Sequence, residues 1–272
     1  MVEPRQERRA DRLGPALLAR FLATFDREAR ETGPQGIHWC LCTPDAPTEG
    51  LGKDGHPAGG GGFLPPSPLP RRMWASSAVT FHRPIRMGAA VERVSTVAEV
   101  TEKTGGSGKL LFVEVDHRTS ADGALAVEER QTLVYRAPPA PGSAPPPPPT
   151  PPADERWDWR RELVPAPPLL FRYSALTFNT HRIHYDLAYA QGEEGYPGLV
   201  VHGPLMASLL LDLADRELGP DRLASFRFRA VAPAFADAPL VLLGRVEGQE
   251  VALRVQGADG REHVAATGVM RG

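Results

Sequence analysis

The sequence predicts an α+β fold with two similar halves, each containing an antiparallel sheet, and one long buried helix in the second half. Eight β-prone segments occur in two groups of four, and turns that contain glycine separate most of them. The first group comprises residues 79–82, 90–101, 109–119 and 124–136, and the second comprises residues 225–230, 239–247, 250–256 and 263–270. Two groups of equal size predict an internal duplication.

The two groups also open on similar residues. Residues 80–84 read Thr-Phe-His-Arg-Pro, and residues 227–233 read Arg-Phe-Arg-Ala-Val-Ala-Pro. This similarity favours duplication, although any two antiparallel meanders share features of this kind, and chance likeness is the alternative interpretation.

The buried helix is predicted over residues 205–218. Its leucines at positions 209, 210, 211 and 213 make it apolar nearly all round, which is typical of a helix with no solvent face. A second, amphipathic helix is predicted within residues 13–30 at the periphery. One long helix wrapped by an antiparallel sheet is the hotdog arrangement, so we expect a double hotdog of two fused units.

A proline-rich segment separates the two halves. Ten of the 29 prolines lie between Pro138 and Pro152, where they favour extended polyproline II and exclude a helix or a central strand. We therefore expect a degenerate hotdog unit over residues 1–137, a linker over 138–153 and a catalytic hotdog unit over 154–272. The glycine- and proline-rich residues 43–70 have no usable period and predict a long loop, which in a compact domain is usually functional or disordered.

Composition restricts the partners and the compartment. The formal net charge of -2, with the two signs interspersed, predicts neither nucleic-acid binding nor attraction to a membrane surface, and favours a small-molecule ligand. Cys40 and Cys42 are the only cysteines and form neither a disulfide framework nor a zinc pattern. No apolar run reaches the roughly 20 residues of a membrane helix, and the N-terminus is charged. We expect a cytoplasmic protein.

The most informative region contains polar groups between apolar runs, at residues 173–186 and 198–204. Three histidines, His181, His184 and His202, fall within 22 positions, and the second segment leads directly into the predicted buried helix. Histidine titrates near neutral pH and can act as a base in one direction and an acid in the other. This region therefore predicts an active site.

Several blocks of the sequence carry a resemblance to a known family. They are residues 62–66, 70–75, 81–84, 171–186 and 199–204, of which the last two are the most specific. Through them the chain resembles hydroxyacyl-thioester dehydratase type 2 and the bacterial mesaconyl-CoA (3-methylfumaryl-CoA) hydratases, among the MaoC-like double-hotdog proteins. The resemblance implies a hydro-lyase that adds water to an α,β-unsaturated acyl thioester, with coenzyme A as part of the substrate and no other cofactor.

The resemblance includes one departure from the family's usual signature. Other MaoC-type hydratases carry Asp-x-Asn-Pro-x-His, and laying that pattern on this chain puts Asn179 at the Asp position, His181 at the Asn, Arg182 at the Pro and His184 at the His. The acidic half of the usual Asp/His pair is therefore missing. The form Asn-x-His-Arg-Ile-His resembles the type 2 branch.

Hydration of an enoyl thioester needs a base for water, a proton for the α-carbon and a donor to the enolate-like oxygen. The resemblance implies that His184 is the base and acid, with Asn179 as a neutral partner that orients the water. Gly203 lies at the start of the helix predicted over residues 205–218, so its backbone N–H and the helix dipole can stabilise the thioester oxygen. Asp186 ranks below His184, because residues two apart on a helix point to different faces.

Other residues of these blocks are candidates for substrate binding: His181, Arg182, His202, Tyr185, Arg72 and Trp74. His202 is expected to orient the turn at Gly203. Arginines near the motifs could bind coenzyme A phosphates or a substrate carboxylate, and surface solvation is the alternative for each; they are Arg71, Arg72, Arg182 and Arg229. A zinc site of the three histidines is a weaker alternative, since thioester hydration needs no metal, and we expect none.

The substrate is expected to be a short, branched, carboxylated acyl-CoA, 3-methylfumaryl-CoA giving citramalyl-CoA. A longer 3-hydroxyacyl thioester on coenzyme A or acyl carrier protein is the close alternative. A hotdog thioesterase is disfavoured, because such enzymes usually need a carboxylate where this chain has Asn179. A non-catalytic acyl-CoA-binding subunit and a homodimer both stay open.

Overall fold

The computed structural model describes residues 5–58, 62–105, 108–137 and 156–272. The predicted linker over residues 138–153 lies outside these ranges, so the linker stays a prediction. Ten strands and four α-helices are present in the described residues. The strands are β1 (Gln6–Arg12), β2 (Arg71–Phe81), β3 (Ala90–Gly105), β4 (Gly108–Ala121), β5 (Ala124–Arg136), β6 (Trp159–Leu163), β7 (Leu223–Ala230), β8 (Leu240–Glu247), β9 (Glu250–Gly257) and β10 (Glu262–Met270). The helices are α1 (Pro15–Thr24), α2 (Pro167–Thr177), α3 (Leu187–Gly192) and α4 (Gly203–Leu218).

All ten strands form one antiparallel sheet with a repeated order. The order is β1-β3-β4-β5-β2-β7-β10-β9-β8-β6, so the arrangement β1-β3-β4-β5-β2 recurs, in reverse, as β7-β10-β9-β8-β6. The halves join where β2 pairs with β7, from Ser76 opposite Arg229 to Thr80 opposite Ser225. Strand order thus confirms the predicted double hotdog.

Helix α4 is the buried helix that the leucines predict. Twelve of its residues are buried, from Pro204 to Asp215, and the helix packs against β8, β9 and β10. Within the described part of the first half no comparable helix exists. The short 3₁₀ turn Ile37–Cys40, which is wholly buried, joins the same core as α4.

Several predicted boundaries were wrong. Strand β2 begins at Arg71 rather than at residue 79, and α1 covers only residues 15–24 of the predicted 13–30. Strands β1 and β6 were missed; both lie at the edges of the sheet, where pairing with one neighbour holds them. Helix α2 was also missed, since it begins with two prolines, which suit the first turn of a helix but not its interior.

None of the helices among the described residues is long and apolar enough to cross a membrane.

Candidate active site

The polar segment lies between α2 and α4. Helix α2 ends at Thr177, its C-cap Phe178 adopts a left-handed conformation with φ 50°, and a 3₁₀ turn over Arg182–His184 follows. The Val200 N–H then donates to the Ile183 carbonyl at 2.9 Å, which places the start of α4 beside the 3₁₀ turn. As a result, His184 and His202 meet face to face, with ring centroids 3.5 Å apart and planes inclined by 19°.

His184 has the geometry of a neutral base. Its Nδ1 lies 2.7 Å from the Val200 carbonyl oxygen, so Nδ1 carries the proton and Nε2 has the free lone pair. Nε2 makes no hydrogen bond within the part of the chain that the structure describes. Burial lowers the pKa of His184 to about 4, although the Val200 hydrogen bond opposes this, and the ring is therefore unprotonated at neutral pH.

Gly203 stands at the first position of α4, which begins before the predicted start at residue 205. Its neighbour His202 is the N-cap, and no side chain satisfies the helix terminus there. The Gly203 N–H makes no hydrogen bond to another described residue and is available to an incoming oxygen. A Cβ at Gly203 would lie 3.7 Å from the Trp74 carbonyl oxygen, an ordinary contact, so this position brings β2 of the first half against the helix start.

The contacts of the His202 ring are consistent with its predicted role, which is to orient the turn at Gly203. Nε2 of His202 lies 2.9 Å from Ser174 Oγ on α2, and the ring also meets the edge of Tyr173. Nδ1 is buried without a hydrogen-bond partner in the described structure. Burial, followed by the charges of His184 and His181, holds the pKa of His202 well below its usual value.

Asn179 has a contact that its sequence pattern did not predict. Its Oδ1 accepts a hydrogen bond from the His181 backbone N–H at 2.9 Å, which closes a tight turn after α2. The side-chain oxygen is therefore used locally, and the amide nitrogen is the group left for a water molecule.

His181 lies between two other imidazoles. Its ring centroid is 5.5 Å from that of His184, in an edge arrangement, and 4.1 Å from that of His56. The ring nitrogens of His181 make no hydrogen bond to the rest of the described chain. Burial, followed by the charges of His56 and His184, lowers the pKa of His181 to about 2, so this ring is also neutral.

Arg182, Tyr185 and Asp186 stabilise the loop instead of facing the histidines. Arg182 forms an ion pair with Asp186 at 2.6 Å and lies over the Tyr189 ring at 4.3 Å. Asp186 also accepts from the Tyr189 N–H and caps α3, so its carboxylate is engaged away from His184. This agrees with the lower rank predicted for Asp186 as a catalytic group. Tyr185 donates its hydroxyl to the Thr180 carbonyl at 3.0 Å, and its side chain is exposed.

The predicted arginines separate into paired and unpaired groups. Arg71 is buried and forms an ion pair with Glu194 at 2.8 Å, whereas Arg229 is exposed on β7. Arg72 is half-buried and makes no hydrogen bond or ion pair with any residue that the structure describes. Burial lowers the pKa of both His56 and His181, and the charge of Arg72 lowers each further, so Arg72 lies close to the histidine cluster.

Trp74 contacts the site mainly through its backbone. Its indole Nε1 donates to Ser77 Oγ at 2.8 Å, and its ring packs edge-on against Trp39 with centroids 5.7 Å apart. Trp74 therefore links the start of α4 to the aromatic core of the first half.

Sequence reasoning missed Asp54 and His56, which lie in the long loop of residues 43–70. Donor atoms of Asp54, His56 and His181 all lie within 4.8 Å of one another, close enough to hold one metal ion. This set differs from the zinc site considered from the sequence, which consisted of His181, His184 and His202. The available sequence signal was the turn dipeptide Asp54-Gly55 immediately before a histidine, within a loop expected to be functional.

Together these features define a class of protein. A double hotdog presents one buried imidazole with a free nitrogen, and beside it a free backbone N–H at the start of the buried helix. This pairing of a base with an anion-stabilising donor suits enzymes that form an enolate from an acyl thioester.

Comparisons with known proteins identify the family. The sequence model of hydroxyacyl-thioester dehydratase type 2 matches residues 36–236. The chain is 48% identical to mesaconyl-C(4)-CoA hydratase of Chloroflexus aurantiacus over 230 residues, which cover 85% of this chain and 81% of that protein. It is 28% identical to the mitochondrial hydroxyacyl-thioester dehydratase type 2 of Schizosaccharomyces pombe, over 80% of this chain and 79% of that one.

Solved structures show the same fold. The HtdX protein of Mycobacterium tuberculosis superimposes with a TM-score of 0.71 at 20% identity, over 97% of this chain and 98% of that one. A MaoC-like dehydratase of Phytophthora capsici gives a TM-score of 0.75 at 14% identity, over 99% and 96% of the two chains. The chain therefore belongs to the hydroxyacyl-thioester dehydratase type 2 family, and it is a hydro-lyase of acyl thioesters.

Proposed function

We propose that this enzyme hydrates a short, carboxylated enoyl-CoA, 3-methylfumaryl(mesaconyl)-CoA, to citramalyl-CoA. The observation that carries the chemistry is the free Nε2 of His184 beside the free N–H of Gly203. The substrate is supported by 48% identity to a mesaconyl-C(4)-CoA hydratase over most of both chains.

In the proposed reaction, His184 Nε2 takes a proton from water as the water oxygen bonds to the β-carbon. The electron pair of the C=C bond moves toward the thioester carbonyl, and the Gly203 N–H donates to the oxygen that becomes negative. His184 then returns the proton to the α-carbon, which leaves the ring neutral. A donor of this kind typically contributes about 2.7–4 kcal/mol to the transition state.

Three neighbours support these steps. The amide nitrogen of Asn179 can donate to the attacking water, since its oxygen is bound to the His181 N–H. His202 holds the Gly203 turn through its hydrogen bond to Ser174. His181 contacts His184 in an edge arrangement and lies on the side of the histidine cluster that is near Arg72.

Arg72 is the proposed partner of the free carboxylate of the substrate. The guanidinium of Arg72 has no partner among the described residues and its nitrogens reach solvent, so it is open to an incoming ligand. A bidentate carboxylate pair would satisfy Arg72 beside the histidines. Arg71 and Arg182 are already paired, with Glu194 and Asp186.

The second candidate is a 3-hydroxyacyl-thioester dehydratase that acts on longer chains, supported by the 28% identity to the fission-yeast relative. Four further parts of the proposal rest on the sequence. They are coenzyme A as the carrier, no other cofactor, a cytoplasmic location and a homodimer. Thioester hydrolysis is disfavoured, because the position of the usual carboxylate is Asn179.

The test is loss of the enoyl-thioester absorbance with 3-methylfumaryl-CoA and with crotonyl-CoA, while free thiol is monitored. We expect absorbance loss without thiol release, and faster turnover of the carboxylated substrate. The variant Arg72→Met should raise KM for 3-methylfumaryl-CoA at least about tenfold and leave crotonyl-CoA nearly unchanged. Arg227→Met, an exposed arginine on β7, is the control. Thiol release would contradict the hydratase, and equal effects on both substrates would contradict the role of Arg72.

A further inference from the structure

The tip of a loop from the first half is docked on the active-site segment of the second half. A bridge between Leu51 and Pro57 closes this tip into a small hairpin with Asp54 and Gly55 at its turn. The Arg182 N–H donates to the Asp54 carbonyl at 2.8 Å, and the Thr180 hydroxyl donates to the Gly55 carbonyl at 2.5 Å. The hairpin is therefore fixed against the residues that immediately precede His184.

Within the hairpin, Asp54 holds His56 with two hydrogen bonds. Asp54 Oδ2 lies 2.9 Å from His56 Nδ1, and Oδ1 accepts from the His56 backbone N–H at 3.0 Å. The second ring nitrogen of His56 has no hydrogen-bond partner in the described structure. The ring of His56 faces that of His181 at 4.1 Å, so the pair stands at the edge of the histidine cluster.

The histidine cluster lacks a negative charge from its own segment. Asn179 stands where other MaoC-type hydratases have a carboxylate, and Asp186 is bound to Arg182 and caps α3. When His184 takes a proton from water, the buried cluster gains a positive charge, and its own segment places no carboxylate beside it. Such a charge is expensive in a buried site unless an opposite charge lies nearby.

We infer that Asp54 and His56 form a positioning pair for this active site, in which the Asp54 carboxylate offsets the positive charge that the histidines gain during turnover. Asp54 fixes His56, and His56 fixes the ring of His181 next to His184. Asp54 of the first half thus supplies a carboxylate near the site, where the second half has Asn179 in place of an aspartate. This role rests on the proposed function, because it concerns the same base.

The charges around His181 determine the sign of the pH effect. The hairpin contributes Asp54 and His56, β2 contributes Arg72, and the 3₁₀ turn and the α4 N-cap contribute His184 and His202. Among these described groups Asp54 is the negative one. Glu194 lies near enough to Asp54 for their charges to interact, but it is paired with Arg71 at 2.8 Å. Burial raises the pKa of Asp54, but hydrogen bonds and charge from His56 outweigh this and hold the pKa at about 2, so Asp54 is ionised at neutral pH.

The decisive variant is Asp54→Asn, which keeps the size and the acceptor oxygen but removes the charge. We expect kcat for 3-methylfumaryl-CoA to fall at least about tenfold, within the lower range of general acid–base contributions, with little change in KM. The acid limb of the pH profile of kcat/KM should move to lower pH, because loss of a neighbouring negative charge lowers the pKa of an imidazole. His56→Gln should lower kcat similarly, and Asp54→Asn/His56→Gln should lose little more than either single variant.

The matched control is Glu128→Gln, which breaks another carboxylate–histidine pair. His82 Nε2 lies 2.7 Å from Glu128 Oε2 on the exposed face of the first half, away from the cluster. Wild-type kcat and an unshifted pH profile in Asp54→Asn would overturn the inference, as would an equal fall in Glu128→Gln. Failure of the wild-type enzyme to hydrate any thioester would instead overturn the proposed function, which separates the two results.

Discussion

The imidazole rings of His184 and His202 stack with their centroids 3.5 Å apart. Because His202 immediately precedes Gly203, this contact ties the position of the base to the position of the helix N-terminus. A shift of either ring would therefore displace both the group that moves the proton and the donor that stabilises the oxygen. Ser174 holds the other side of His202, so α2, the 3₁₀ turn and α4 act as one unit.

Loss of the Ser174 contact should weaken catalysis and stability together. In Ser174→Ala the buried Nε2 of His202 loses its partner, which should cost about 1–3 kcal/mol in the free energy of unfolding. We also expect kcat to fall. Thr177→Ala is the control, since its hydroxyl bonds only to carbonyls of its own helix. Urea denaturation and steady-state kinetics on both variants test this, and equal behaviour of the two would contradict the positioning role of His202.

Stability should decrease as the pH falls from about 6.5 toward 4. The pKa of His184 is about 4 in the folded chain, below its ordinary value, so between these values the unfolded chain binds more protons than the folded one. This group alone accounts for about 3 kcal/mol at the acid end of the window. Urea midpoints measured across this range should fall, and they should fall less in His184→Gln. Midpoints that rise toward acid would contradict a neutral buried His184.

Gly55 should tolerate no side chain. Its φ is +88°, and a Cβ there would lie 1.9 Å from the Thr180 carbonyl oxygen, so Gly55→Ala must displace the hairpin from the active site. Gly88 has the same φ of +88° with nothing within 4 Å of the added Cβ, and Gly88→Ala therefore isolates the backbone strain. Both variants should lose about 1–2 kcal/mol of stability from strain. Only Gly55→Ala should also lose activity, and wild-type kcat in that variant would show that the hairpin is dispensable.

Chelation should leave activity unchanged. Asp54, His56 and His181 have donor atoms close enough for one ion, but Asp54 already binds His56 Nδ1, and the proposed chemistry uses only the imidazole and the backbone N–H. Kinetics should be measured after dialysis against EDTA and again after addition of Zn²⁺. Loss of activity that zinc restores would mean that these residues hold a metal.

The fold could be predicted from the sequence because its main elements have strong local patterns. Helix α4 is apolar nearly all round, and most of the strands are β-prone segments bounded by glycine-containing turns. Strand β1, with the sequence Gln-Glu-Arg-Arg-Ala-Asp-Arg, has no apolar face, and only its pairing with β3 makes it a strand. Tertiary contact of that kind leaves no local signal.

The candidate site could be predicted only where its residues are close in sequence. His181, His184, His202 and Gly203 come together as the pattern indicates. The hairpin that bears Asp54 and His56 contacts residues 125 positions away, and a contact of that range depends on the folded chain. Likewise, sequence does not distinguish Arg72 from Arg71, because the difference is whether Glu194 lies within reach.

The proposed thioester hydration depends on His184 as its base. The most direct test is the rate of absorbance loss of 3-methylfumaryl-CoA with wild type and with His184→Gln, which keeps a polar side chain but no titratable nitrogen. We expect kcat to fall by a factor of at least about 10² in the variant, without thiol release in either protein and with the fold intact by circular dichroism. Wild-type kcat in a folded His184→Gln enzyme would contradict this role of His184.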